Sequence, residues 1–348
     1  MKPNFNHFLL LGFLIFQSGF AVGQSISVSH PSGRYDLPFY LRLDSSVELR
    51  YTLSGNTPSP ASPLFPDSLL IGFQYPEDNY CLIPTNEIEY NTKSWRNREF
   101  GWRPPVQEVD KLHVVRVRGF ANGRAMTALL TLVYQINPES DKLPIVSIVT
   151  DSANFFDEEI GIYVPGIYYD EENPSWSGNY CLKGDQWERP ASFSYFHPDG
   201  SLALSQEVGV RIHGGATRIC PQKSLRVYAR GSYGKESLEF PFFGQNAPQE
   251  FSRILLRSGM SYWFERNTIF QDEYLLKLIG TFYPDLDVQL SRPAQMFLNG
   301  ENWGMVAVKE RIDEYYLAAH YNLPREEILF IEPTVDRIEE FDKILQLC

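Results

Sequence analysis

Before residue 150 no long stretch carries a helical hydrophobic period. Apolar side chains return at every second position instead, and a chain with that pattern has to pair as β-sheet. Val115 and Val117 alternate with Arg116 and Arg118. Asn122-Gly123 follows, two residues that tolerate positive φ and mark a hairpin. Leu130, Leu132, Tyr134 and Ile136 alternate on the return strand, and Leu41, Leu43, Val47 and Leu49 lie in similar short runs. Tyr51-Thr52-Leu53-Ser54-Gly55-Asn56-Thr57-Pro58 reads as a strand running into a turn. Residues 25–136 are therefore expected to form an Ig-like β-sandwich of about a hundred residues.

The first residues read as an address rather than as structure. Lys2 gives a basic start, residues 8–16 are uninterruptedly apolar, and Ala21-Val22-Gly23 offers a small-x-small cleavage site. The apolar run is far shorter than the ~20 residues of a spanning helix. Residues 1–23 are expected to be a signal peptide, and the mature chain to be secreted or extracytoplasmic, at a cell surface or in a periplasm, with no membrane span. Lys and Arg number 31 against 43 Asp and Glu, a net charge of −12. That balance excludes a general nucleic-acid binder, which needs a basic footprint. Cys81, Cys181, Cys220 and Cys348 contain no C-x-x-C pair, so no zinc site of that type is expected. Export permits a Cys181–Cys220 disulfide, and buried free thiols fit the sequence as well.

Residues 137–143 are a polar linker, and a second, α+β domain is expected over 144–348. Ile145, Ser147 and Val149 alternate with Val146 and Ile148 as a buried strand. Asp199-Gly200 and Asn299-Gly300 signal two more hairpins, and residues 224–228 a further strand. Residues 264–278 form the first convincing helix, with Phe270, Tyr274 and Leu278 on one face and Gly280 as its cap. Residues 310–320 are expected to be helical, ended by Asn322. Residues 338–348 carry an amphipathic stripe of Ile338, Phe341 and Leu345, from which the chain is expected to be the front part of a longer protein.

Within this acidic chain, residues 211–235 hold Arg211, Arg218, Lys223, Arg226, Arg230 and Lys235 and no carboxylate. The same window holds His213-Gly214-Gly215. Glycines let backbone N–H groups turn toward an anion, and Arg and Lys add charge-assisted bonds to phosphate oxygens. A hairpin with a Gly-rich connection is also how protein kinases cover ATP phosphates. A charged solvent face between strands accounts for the window equally well.

Two resemblances carry this further. Tyr51, Thr52, Gly55 and Pro58, with Val117, Gly119, Phe120 and Gly123, resemble the small β-sandwich module at the C-terminus of chitobiases and hexosaminidases, an accessory rather than a catalytic unit. Arg211, Gly214, Thr217, Arg218, Pro221, Lys223 and Ser224, then Leu256, Arg257 and Ser258, then Asn299, Gly300, Gly304, Glu310, Ile312 and Asp313 resemble three blocks of the spore coat protein H (CotH) kinase family, in order over residues 144–332. This second resemblance implies a kinase-like domain that uses ATP and Mg to phosphorylate protein Ser/Thr. Lys223 would contact nucleotide phosphates, Arg211, Gly214 and Arg218 would shape the phosphate-facing loop, and Glu310 would orient a cation partner. Lys309 is a further candidate on the opposite face of its strand. Kinases also need a catalytic and a metal-binding Asp. Only 35 residues follow Asp313. Asp336 and Asp342 lie there in a helical setting without the expected context, so neither is carried over. The catalytic residues stay unknown, no metal site is assigned, and the kinase-like domain is expected to be incomplete at its C-terminus.

Other chemistries find less support. His213-Gly214-Gly215 has no G-x-S-x-G to serve, and there is no H-E-x-x-H or complete P-loop. Asp157-Glu158-Glu159 and Asp170-Glu171-Glu172 are expected to be solvated. Tyr168, Tyr169, Trp176 and Tyr180 beside them fit either burial or a binding surface. The alternative reading is thus a secreted, non-catalytic surface module that binds a glycan or a protein partner.

Overall fold

The computed structural model describes residues 25–75, 79–86, 105–136, 143–260 and 270–330. The expected signal peptide, most of the linker and the amphipathic segment 338–348 lie outside the described residues.

The N-terminal half comprises β1 (Ser27–Val28), β2 (Gly33–Tyr35), β3 (Phe39–Leu41), β4 (Leu43–Asp44), β5 (Glu48–Thr52), β6 (Leu69–Ile71), β7 (His113–Ala121), β8 (Arg124–Ala125) and β9 (Leu130–Ile136). Its main sheet runs β2-β9-β7-β5, with β8 on β7. The hairpin at Asn122-Gly123 has the two positive φ angles its residues invite. Val115, Val117, Leu132, Tyr134 and Ile136 cover one face and meet Leu41 and Ile71 of the pair β3-β6, with Val28 and Leu43 of the pair β1-β4 packed against them. The expected Ig-like pair of antiparallel sheets is not reproduced. β2 joins β9 in parallel, and among the described residues the second layer consists of these two-stranded pairs. Pro31, Pro38, Pro58, Pro60, Pro63 and Pro66 punctuate the region and keep its strands short.

The second half comprises β10 (Ile145–Val149), α1 (Ser152–Phe156), β11 (Arg189–Phe196), β12 (Leu202–His213), β13 (Ser224–Tyr228), β14 (Leu238–Glu239), β15 (Glu250–Phe251), β16 (Arg253–Arg257), α2 (Gln271–Phe282), β17 (Ser291–Leu298), β18 (Glu301–Lys309) and α3 (Glu314–Tyr321). Mixed α and β structure was expected; a closed barrel was not. Seven strands close in the order β10-β11-β12-β13-β16-β18-β17, and the closing pair β10–β17 is parallel. Alternation sorts the side chains. Val208, Val210 and Ile212, Leu225 and Val227, Ile254 and Leu256, and Val306 and Val308 fill the interior. Their neighbours Arg211, His213, Arg226, Arg257 and Lys309 fall on the outer face.

The halves share a core. Leu112, Val114 and Val133 pack on Ile145, Val149, Phe196 and Phe297. β7 is thus covered on both faces, and Arg116, which alternates with Val115 and Val117, is buried too. Its Nη1 donates to the Gly55 carbonyl at 2.7 Å and lies 3.4 Å from Asp151 Oδ1. Asn56 Oδ1 accepts from Ser152 N at 2.8 Å. The turn at residues 52–58 is therefore a docking element against the barrel.

Helix boundaries differ from expectation. α2 runs through Gly280, and an added Cβ there would lie 2.8 Å from Val288 Cγ2. Gly280 permits that close approach and does not end the helix. Tyr274, placed on the apolar stripe, is exposed, while Glu273 is buried against the barrel. The strand β18 continues to Lys309, and α3 starts only after Asp313, whose carboxylate accepts from Tyr315 N and Tyr316 N. Asn322 ends it in the left-handed region, as expected.

Phe297→Ala should remove an anchor of the shared core and lower unfolding free energy by about 3–5 kcal/mol, read from the urea midpoint.

Candidate functional site

Arg211, Gly214 and Arg218 meet in one cleft of about 550 Å³, together with Lys183, His213, Gly215, Arg226 and Arg311. The strands dictate this. Arg211 and His213 on β12 and Arg226 on β13 share the outer face, and Arg211 stands directly across from Arg226. Like charges paired across strands are destabilising, so a local rule of sheet design is broken here, as it often is at functional sites.

The charges are unevenly balanced. Arg211 is held by Asp185 and by Glu188, the latter at 2.7 Å. Arg311 lies 2.9 Å from Asp313. Arg218 instead donates to three backbone carbonyls, those of Gly214, Tyr180 and Leu182. Arg226 donates to Tyr228 Oη and His213 Nδ1, both at 2.9 Å. Among the described residues neither Arg218 nor Arg226 has a carboxylate partner, and Arg226 Nε is buried without an acceptor. Tyr228 lies under the guanidinium groups of Arg211, Arg226, Arg230 and Arg253, at 4.7 to 5.9 Å from its ring centre.

His213 reports the resulting field. A guanidinium only donates, so Nδ1 accepts from Arg226 and the ring proton sits on Nε2. Burial, then the positive charge of Arg226, Arg311, Arg218 and Arg257, pushes its pKa down to about 3. Gly214 adopts φ +117° and an added Cβ on Gly215 would meet nothing, so the loop backbone is open on that side.

Lys223 and Glu310 lie elsewhere. Lys223 is 0% exposed and has the strand parity of Leu225 and Val227. Its Nζ donates to Thr85 O at 2.6 Å and Cys220 O at 2.8 Å and lies 4.1 Å from the Tyr180 ring centre. Burial brings its pKa down to about 7, opposed by Cys220 and Cys181. Glu310 lines a second cleft of about 560 Å³ with Arg253, Arg311, Asp313, Tyr315 and His320. Its side-chain partner is His320, whose Nε2 is 2.7 Å from Oε1, while Oε2 accepts from Leu290 N at 2.9 Å. Burial raises the Glu310 pKa. Arg311 borders both clefts. Lys309 meets Glu273 at 3.3 Å on the outer face.

His213, Arg226 and His320 went unassigned in the sequence. For Arg226 the signal was present in the charge-inverted window; for His320 only folding brings the chain back to Glu310. Cys81, Cys181 and Cys220 are free thiols. Of the aromatic loop, Tyr180 is buried while Tyr168 and Trp176 are exposed. The two acidic clusters are exposed as expected, and among the described residues no group of three or more His, Cys, Asp or Glu is placed to hold a metal.

Residues 210–344 match the family model described as CotH kinase protein. The match begins on β12 immediately before Arg211 and takes in the second cleft and the β12–β13 wall of the first, while Lys183 and Trp187 precede it, and it supports the CotH resemblance over that stretch. No curated protein matches the chain.

Because the folded pKa of His213 lies below its ordinary value, the unfolded chain binds the proton first. The stability linked to this group is complete above about pH 6.5 and is lost as pH falls toward 3, by up to ~1.4 kcal/mol per pH unit. His213→Asn, whose Oδ1 can accept in place of Nδ1, should flatten the acid limb of a thermal-midpoint profile across that interval.

Proposed function

We propose that this chain carries the nucleotide-covering part of a CotH-type protein kinase, working outside the cytoplasm with Mg-ATP to phosphorylate protein Ser/Thr. The observation that carries this reading is the charge balance of the first cleft. Two guanidinium groups without carboxylate partners stand beside an open glycine loop, inside the stretch that matches the family. An anion bearing about two negative charges complements them, and phosphates are the common ligands of that kind. The cleft volume suits a ligand of nucleotide size.

In this reading Gly214 opens the loop backbone to the phosphates, Arg211 and Arg218 hold the loop in shape, and Arg226 with the Nε2–H of His213 donates to phosphate oxygens. Lys223 supports the loop from behind, through the carbonyl of Cys220. Glu310 holds His320 at the far cleft. Bound ATP would supply the transferable phosphoryl group. The donor set fits its phosphates; no protein ligand set for Mg is found among the described residues, and no step is drawn through the ion. The N-terminal half, read as a chitobiase-like module, serves as an accessory docked on the barrel. No helix among the described residues is long and apolar enough to cross a membrane.

A second reading rests on Trp176 and Tyr168, which are 62% and 51% exposed beside the acidic loop. Such rings are suited to stacking on a sugar or a partner side chain, and this surface is compatible with the kinase reading.

Calorimetry with Mg-ATP is the test. The wild-type chain should bind, and Arg226→Ala should weaken binding about tenfold or more by removing a charge-assisted donor. Absence of binding by the wild-type chain would remove the nucleotide reading and leave the surface module, whose glycan binding Trp176→Ala should abolish.

A further inference from the structure

The first cleft has two walls of different origin. One is the β12–β13 hairpin with its glycine loop, which carries Arg211, Arg218 and Arg226. The other is residues 182–187, which precede β11 and contribute Leu182, Lys183, Gly184 and Trp187 to the lining. The stretch that matches the family model starts at residue 210, so it says nothing of this second wall. Hydrogen bonds and ion pairs tie the walls together. Arg218 Nη1 donates to the carbonyls of Tyr180 and Leu182 at 3.0 and 3.1 Å. Arg211 meets Asp185 and, at 2.7 Å, Glu188.

Trp187 is the part of the second wall that anion binding leaves unexplained. Phosphate oxygens call for charge and N–H donors, whereas an indole presents mostly apolar ring. The side chain is half-buried: part of it packs against the barrel core, and it also lines the cleft. Its backbone is held in a 3-10 turn, Asp185–Trp187, entered through Gly184 at φ +100°. The Arg189 guanidinium lies 5.2 Å from the ring centre, and Tyr168 meets the ring edge-on at 5.7 Å. Arg189 is itself anchored, since it donates to the carbonyls of Ile160, Gln186 and Glu188. The indole is thus fixed before a ligand arrives, and binding to it costs little side-chain ordering.

The phosphate donors are close by in the same cleft. Glu188 follows Trp187 in the chain and holds Arg211, and Arg211 stands directly across from Arg226. One ion pair and one cross-strand step link the turn of Trp187 to the guanidinium of Arg226. A ligand with a flat π-system at one end and an anion at the other complements this pair. Its ring meets the indole, and its charge meets Arg226 and the Nε2–H of His213. Nucleotides are built in that way, while a bare polyphosphate uses only the cationic wall.

We propose that Trp187 is the base-recognising residue of this cleft, stacking on the nucleobase while the phosphates lie at Arg226 and His213. The assignment deepens the nucleotide reading above and rests on it. Stacking reads a π-face rather than a pattern of donors and acceptors, because every base has such a face. Trp187 therefore selects nucleotides over polyphosphates and discriminates weakly among the bases.

The test is calorimetry on the full chain with Mg-ATP and with inorganic tripolyphosphate, for wild type, Trp187→Leu and Trp187→Phe. Wild type should bind both ligands. Trp187→Leu should lose about tenfold in Mg-ATP affinity, the scale of one base–aromatic stack, and keep its tripolyphosphate affinity. The retained tripolyphosphate affinity reports that the cleft of the variant is intact. Trp187→Phe, which keeps a π-face, should recover most of the loss. Mg-ATP should also quench tryptophan emission of the wild-type chain by an amount that Trp187→Phe removes, a readout that stands even where Trp187→Leu does not fold. If Trp187→Leu weakens both ligands alike or neither, or if Trp187→Phe leaves the quenching unchanged, the assignment is overturned while the nucleotide reading survives. If wild type binds tripolyphosphate and not Mg-ATP, the nucleotide reading falls and the assignment falls with it. If wild type binds neither, the anion cleft falls as well.

Discussion

The parallel pairing of β10 with β17 is the constraint on which the rest depends. It joins Ile145 to Gln295 and Ile148 to Leu298, positions about 150 residues apart, and turns an open sheet into a barrel. Closure removes the strand edges and creates an inside and an outside. Once there is an inside, alternation leaves no choice about where Arg211, His213, Arg226, Arg257 and Lys309 go. They share the outer wall because Val210, Ile212, Val227, Leu256 and Val308 take the interior. The cleft is a by-product of a well-filled core.

The barrel also decides what the N-terminal half can be. Its β7 is buried on both faces, against its own small core and against β10, β11 and β17. The two halves are therefore mechanically continuous. Arg116 seals the join through Asp151, whose Oδ1 lies 3.4 Å from its Nη1. Tyr80 N and Cys81 N seal it a second time by donating to the Glu301 carboxylate at 2.9 and 2.7 Å. Thr85, by accepting from Lys223, reaches the underside of the glycine loop. A module that packs in this way influences the loop's geometry from behind, without touching a ligand in front of it.

Much of the local structure was legible. The hairpins at Asn122-Gly123, Asp199-Gly200 and Asn299-Gly300 form where residues that tolerate positive φ occur, since turn chemistry is local. The strands of the second half follow period-two runs. The helix over α2 was legible in kind but not in orientation: an apolar stripe through Tyr274 pointed one face inward, while the structure buries Glu273 there. Periodicity counts apolar residues and does not see that a wall of Arg257 and Lys309 attracts carboxylates more strongly than a tyrosine attracts a core. The burial of Arg116 was not legible either, because the second layer covering β7 comes from far along the chain.

What the sequence determined by itself was the period of the strands, the turns, the reversal of charge around residues 211–235, and the family signature that residues 210–344 carry. These are properties of neighbours along the chain, set by sterics and composition. Tertiary structure alone decided which cations share a cleft. Lys223 and Arg226 are three residues apart, yet strand alternation in a closed barrel sends one to the interior and the other to the outer wall. Arg257 and Asp272 are fifteen apart, yet the packing of α2 on the barrel brings them into contact.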